Sequence, residues 1–209
     1  MTQQSLPPQP TSAPAPAASG PRAPRRTLGA RDLASIATFA ALIAALGLPG
    51  SLYLGGTAVP ITFQTLGVML AGAILGARNG FLAVLLLQVL VAAGLPLLSG
   101  GRGGIGVFLG PTGGYLLGWL LAALVIGWFT ARLLPRYPLW PALGATALGG
   151  IVVMYAIGVP WVAVSTGVPF TVALTGALVF LPGDILKVIV TVLAAKQVHR
   201  AWPGLITPR

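Results

Sequence analysis

Apolar residues gather into six long runs, at about 33–54, 61–77, 80–98, 107–134, 141–166 and 170–198. A helix that crosses a bilayer needs about 20 predominantly apolar residues. The pattern therefore predicts six spanning helices, short ones included. Only Gly76–Gly80 separates the second run from the third, which predicts a tight helical hairpin. The sixth run is interrupted by Phe180-Leu181-Pro182-Gly183-Asp184. Proline is favoured at the first position of a helix and acids in its first turn. The last span is thus expected to start near Pro182, leaving 168–180 as a shorter helix or re-entrant segment. A continuous span kinked at Pro182 fits the same residues.

Residues 1–30 lack this pattern. They hold seven of the 19 prolines and no apolar core of signal-peptide length. The expected organisation is a flexible Pro/Ala-rich tail at 1–30, a six-helix membrane domain at 31–200 and a short tail at 201–209. The fold class is an all-α integral membrane protein with a glycine-rich outward loop between helices three and four.

Composition agrees with the pattern. Hydrophobic residues make up 56% of the 209-residue chain and charged residues 7%, with a mean hydropathy of +0.93. Soluble domains carry about 25% charged residues, so a soluble globular protein is excluded. The net charge of +10 does not point to nucleic acid, because no soluble basic face exists to carry it. The positive residues follow the positive-inside rule instead. Arg22, Arg25, Arg26, Arg31, Arg78, Arg132, Arg136, Lys196, Arg200 and Arg209 all fall on one side of six spans. That side is the cytoplasm, which makes the protein a multi-pass plasma-membrane protein with both termini cytoplasmic. Arg102 is the basic residue in an outward gap, and topology does not account for it.

The chain has no cysteine, one histidine and two acids. His199, beside Arg200, is expected to be a solvated cytoplasmic side chain. A metal site needs several ligands, so neither a metal nor a cofactor is expected. An intramembrane enzyme using Asp184 as acid and base lacks a His or Ser partner for it. A channel lacks repeated charged or carbonyl rings.

The polar residues inside the apolar runs are the candidates for chemistry. Asp184 and Lys187 are three residues apart, hence on one helix face. Each ion costs about 2.5–3.5 kcal/mol at the centre of a span, and an i, i+3 pair returns only about 0.2–0.5 kcal/mol. A polar binding site explains their presence better than a snorkelling pair. Gly94–Gly114 holds nine glycines around Arg102, a loop able to approach a ligand with its backbone or to close as a lid. Its match to GxGxxG has no βαβ context and is not a dinucleotide site. Gln64 and Gln88 are amides in lipid-spanning runs and should face the bundle interior. Asn79 is expected in the turn between helices two and three. Ala37, Ala41 and Ala45 form a small-residue stripe, suited either to internal packing or to docking of another subunit. Residue chemistry reaches a small anion with polar donors as ligand.

Several stretches together resemble the BioY family, the biotin-binding S components of energy-coupling-factor transporters. They are Val59-Pro60-Ile61-Thr62-Phe63-Gln64-Thr65-Leu66-Gly67-Val68, Gly94-Leu95-Pro96, Gly100–Gly106, Leu109-Gly110-Pro111-Thr112-Gly113-Gly114-Tyr115 and Phe180-Leu181-Pro182-Gly183-Asp184-Ile185-Leu186-Lys187. The resemblance covers about residues 31–198. It implies six helices and an outward-facing biotin pocket, with Asp184, Lys187, Arg102 and the third-helix amide Gln88 as ligand contacts. Gln64 joins them, and Tyr53, Phe108, Tyr115 and Trp161 are candidate aromatic walls. Either Lys187 or Arg102 would neutralise the biotin carboxylate. The alanine stripe resembles the family's docking surface for the transmembrane coupling subunit. Uptake would need that subunit and partner ATPases, since the chain carries no phosphate-binding loop. The implied partners are therefore biotin, these subunits and the lipid bilayer, with no nucleic acid. An S component for another vitamin is the alternative.

Overall fold

The computed structural model describes residues 28–50 and 59–206. Most of the N-terminal tail, Tyr53, the first interhelical gap and the last three residues lie outside them. Among the described residues the protein is all-helical, apart from one isolated bridge between Leu98 and Arg102.

Helix α1 (Ala30–Ala45) is followed by α2 (Gln64–Ala92), the short α3 (Gly106–Leu109) and α4 (Gly113–Leu133). Helices α5 (Leu139–Ala147) and α6 (Met154–Thr166) are joined through a π-helical turn at Leu148–Val153. Helices α7 (Phe170–Leu178) and α8 (Leu181–Ala201) complete the chain. Three of the helical stretches are long and apolar enough to cross a membrane, Gln64–Ala92, Gly113–Leu133 and Leu139–Thr166. The pair α7 and α8 makes a fourth if its 52° bend lies within one span. The protein is an integral membrane protein.

Helix α2 breaks at Gly76, whose φ of +79° is open to glycine alone at low cost. A Cβ on Gly80 would lie 2.7 Å from the Ala71 carbonyl oxygen. The two halves of α2 therefore run back along each other, as the expected hairpin. The sixth run takes the broken form. Pro182 sits in the first turn of α8, and α7 is a separate short helix. The fourth run does not begin its long helix at 107, because Gly110-Pro111 stops α3 and α4 starts at Gly113.

The core is built on close backbone approach. A Cβ on Gly72 would meet the Ala123 carbonyl, one on Gly118 the Met154 backbone, and one on Gly158 the Tyr115 ring. Small residues at these crossings replace the hydrophobic drive that lipid does not supply. In α1, Ile36, Ala40 and Ile43 are buried, whereas Ala37, Ala41 and Ala45 are exposed. The alanine stripe thus lies on the outer face, not in the internal contact.

His199 corrects an expectation. It is buried, with its Nε2 2.9 Å from the Ala73 carbonyl oxygen and its ring beside Tyr137. It continues the inner face of α8, which runs through Asp184, Lys187, Thr191, Ala195 and His199. Asn79 lies at the hairpin turn and ties it to α1, donating from Nδ2 to Asp32 Oδ1 at 2.8 Å. Asp32 also caps α1 by accepting from the Gly29 N–H at 3.1 Å.

Candidate functional site

The start of α8 delivers Asp184 and Lys187 to the bundle interior on one helical face. Both are buried, at 4% and 8% exposure. Lys187 Nζ donates to Asp184 Oδ1 at 3.0 Å and to Thr65 Oγ1 at 2.9 Å. The Tyr155 hydroxyl donates to Asp184 Oδ2 at 2.7 Å. These neighbours account for the tolerated burial: a desolvated ion pair is sustained only when further hydrogen bonds serve its remaining groups. They also leave capacity. An ammonium has three donors and a carboxylate about four acceptor positions. Among the described residues, one Lys187 N–H and at least one lone pair on each Asp184 oxygen are left unused by these bonds.

The pair faces a cavity of about 590 Å³, counting its open mouth. Its walls are largely apolar, from Ile61, Leu98, Tyr115, Trp119, Met154 and Phe180. Tyr115 makes edge contacts with Tyr155 and Phe180, at centroid distances of 6.2 and 6.4 Å. This fixes three aromatic rings around the carboxylate end of the cavity.

Arg102 enters the wall from the glycine-rich loop. Leu98 and Arg102 exchange both backbone hydrogen bonds, at 3.0 and 3.2 Å, and Arg102 Nε donates to the Ser99 carbonyl at 3.2 Å. Gly100 and Gly101, at φ +78° and +69°, supply the reversal between the bridged residues. Gln64 holds this turn in place. Its Nε2 donates to the Ile43 carbonyl at 3.2 Å and the Leu97 carbonyl at 3.0 Å, and its Oε1 accepts from the Ser99 N–H at 2.9 Å. Gln64 lines the cavity, but these three bonds make it a brace between α1, α2 and the loop.

The sequence-derived candidates thus divide. Asp184, Lys187, Arg102, Tyr115 and Gln64 come together around one cavity. Gln88 is buried elsewhere, donating to the Leu116 carbonyl, and is not part of the wall. Trp161 donates to the Gly110 carbonyl at 2.9 Å and clamps the loop before α4, so neither it nor Phe108 walls the cavity. Tyr155, Thr65 and Trp119 are wall residues that sequence reasoning passed over. A lone Tyr in an apolar run carries no sign of its distant partner, and a helical Thr satisfies itself on its own backbone.

A buried, hydrogen-bonded ion pair at the end of a largely apolar cavity, in a helical membrane protein, is an arrangement suited to a small polar solute. Residues 18–204 match the BioY family, and the chain belongs to that family. It is similar to the "Biotin transporter BioY" of Rhizobium etli, 46% identical over 183 residues, covering 85% of this chain and 98% of the relative. It is likewise similar to the protein of the same name from Rhodobacter capsulatus, 48% identical over 189 residues, covering 86% and 98%. A crystal structure described as the S-component for biotin from an ECF-type ABC transporter superposes with a TM-score of 0.77 at 33% identity. The match covers 81% of this chain and 91% of that one.

Proposed function

We propose that this protein captures biotin as the substrate-binding component of a vitamin uptake transporter. The observation that carries the reading is the buried Asp184–Lys187 pair, which keeps unused donors and acceptors toward a small aromatic cavity. Biotin has complementary chemistry. Its ureido N–H groups suit Asp184, its carboxylate suits a cation, and its thioether ring suits the Tyr115 and Trp119 walls. Lys187 and Arg102 are the two cations available to the carboxylate. The names of the similar proteins support the same ligand.

In this reading the chain crosses the membrane six times. The crossings are α1, the two halves of α2, α4, the α5–α6 stretch and the α7–α8 pair. The glycine-rich loop between the third and fourth crossings faces outward, and both termini are cytoplasmic, following the distribution of arginines. The exposed Ala37, Ala41 and Ala45 face a transmembrane coupling subunit, through which partner ATPases drive release. Binding of a panel of vitamins to the purified full chain tests the assignment. Biotin should bind saturably and be recovered unchanged. A tighter interaction with a different vitamin, or chemical conversion of biotin, would refute it.

A further inference from the structure

The far end of the molecule carries a second recess, formed by the α4–α5 connection, the last turns of α8 and the segment after it. Its volume is about 880 Å³, counting its open mouth. Arg136, Lys196 and Arg200 converge on it from two separate elements, over a floor that includes the buried Tyr137 and His199. Neither of the chain's two acids lines it. Asp184 is at the other cavity, and Asp32 lies in a neighbouring recess where it serves Asn79 and Gly29. Three cations around one concavity, with no counter-charge lining it among the described residues, repel one another, and a bound anion relieves that repulsion.

Charges at the end of α8 complement its dipole, and the positive-inside rule favours them. Neither effect requires Arg136, from a different element, to share their recess. Two exposed tryptophans lie close in sequence to the residues that line the recess. Trp140, just after the α4–α5 connection, is 80% exposed, and Trp202, just after Arg200, is 61% exposed. Exposed tryptophans gather at the headgroup level of a bilayer. Ile189 and Leu193 on α8 are exposed and apolar, as an acyl chain alongside would require.

We propose that this recess binds the phosphate of an anionic phospholipid, with Arg136, Lys196 and Arg200 holding the headgroup. The site does not depend on what the other cavity holds. The test uses the purified full chain in neutral detergent. Thermal stability is followed while dioctanoyl phosphatidylglycerol, dioctanoyl phosphatidylcholine or inorganic phosphate is added. The anionic lipid should raise the Tm and the zwitterionic lipid should not. Near a membrane surface each cation contributes about a fivefold gain in affinity, so Arg136→Gln/Lys196→Gln/Arg200→Gln should require roughly 100-fold more anionic lipid. Arg132→Gln, which removes a cation stacked on Trp128 at the same end, should change the requirement by less than about twofold. If the triple variant does not fold, Arg136→Gln alone should show the roughly fivefold loss, because it lies outside the helices. Equal loss in Arg132→Gln would reduce the effect to general surface charge and overturn the proposal. An equal response to inorganic phosphate would make it a free-phosphate site. No lipid response in the wild type, with the triple variant failing to co-purify with the coupling subunit, would make the recess a protein interface.

Discussion

Replacing Asp184 with Asn separates ligand recognition from ion-pair burial. The side chain keeps its size but loses its charge and one acceptor oxygen. In the native site, Oδ1 accepts from Lys187 Nζ and Oδ2 from the Tyr155 hydroxyl, both donors. An amide can keep its oxygen toward Lys187 and turn its NH₂ to the Tyr155 hydroxyl, which can accept as well as donate, so the substitution removes the charge while both contacts can be retained. Lys187 is then a cation at 8% exposure whose partners, Thr65 and an amide oxygen, are both neutral. Removing one member of a buried pair costs about 3–5 kcal/mol, so the Tm should fall. A ligand hydrogen bond to a charged group contributes about 1.5–3 kcal/mol, so biotin affinity should fall about 10- to 150-fold. Calorimetric titration with parallel thermal melts measures both. Adding Lys187→Met to Asp184→Asn removes the stranded cation and should restore part of the stability without restoring affinity. If Asp184→Asn binds biotin as tightly as the wild type, or the double variant regains full affinity, Asp184 is a structural residue and the assignment of the site is wrong.

Three further outcomes follow from the geometry. Arg102→Ala should weaken biotin more than a biotin amide, because the amide has no carboxylate to pair with the guanidinium; a coupling energy near zero in that double cycle would leave the carboxylate to Lys187. Gln64→Met keeps the volume but removes the three bonds that join Ile43, Leu97 and Ser99. At about 1 kcal/mol per net bond, biotin should dissociate at least tenfold faster in stopped-flow measurements, and an unchanged rate would show that the loop is held without it. Ala41→Leu adds bulk to an exposed face of α1. It should reduce co-purification with the coupling subunit and leave biotin affinity within about twofold; loss of binding with intact assembly would assign the stripe to another role.

The parts of the protein written in local spacing are legible in the sequence. Asp184 and Lys187 share a face because three residues make most of a helical turn, and Gly76–Gly80 marked the hairpin because only glycine tolerates the φ that α2 adopts there. What depends on distant partners was not legible. Gln64 meets residues 21, 33 and 35 positions away. Its amide chemistry announced a need for partners, without showing that the loop and α1 would meet it and not the ligand. Gln88 announced the same need and met it at the Leu116 carbonyl. His199 was misjudged from its neighbour Arg200. Its place four residues after Ala195, on the face that starts at Asp184, was the better signal. Tyr155 could not be connected to Asp184 by any sequence pattern, since the two are joined across 29 residues and a bend between helices.

Whether the ion-paired cavity holds biotin is decided by equilibrium titration of the purified full chain with biotin, repeated after saturation with each of the other vitamins as competitor. Saturable one-to-one binding that only biotin and analogues retaining its ureido ring displace is the expected result. Absence of binding, or displacement by a vitamin with no ureido group, would show that the cavity serves another ligand.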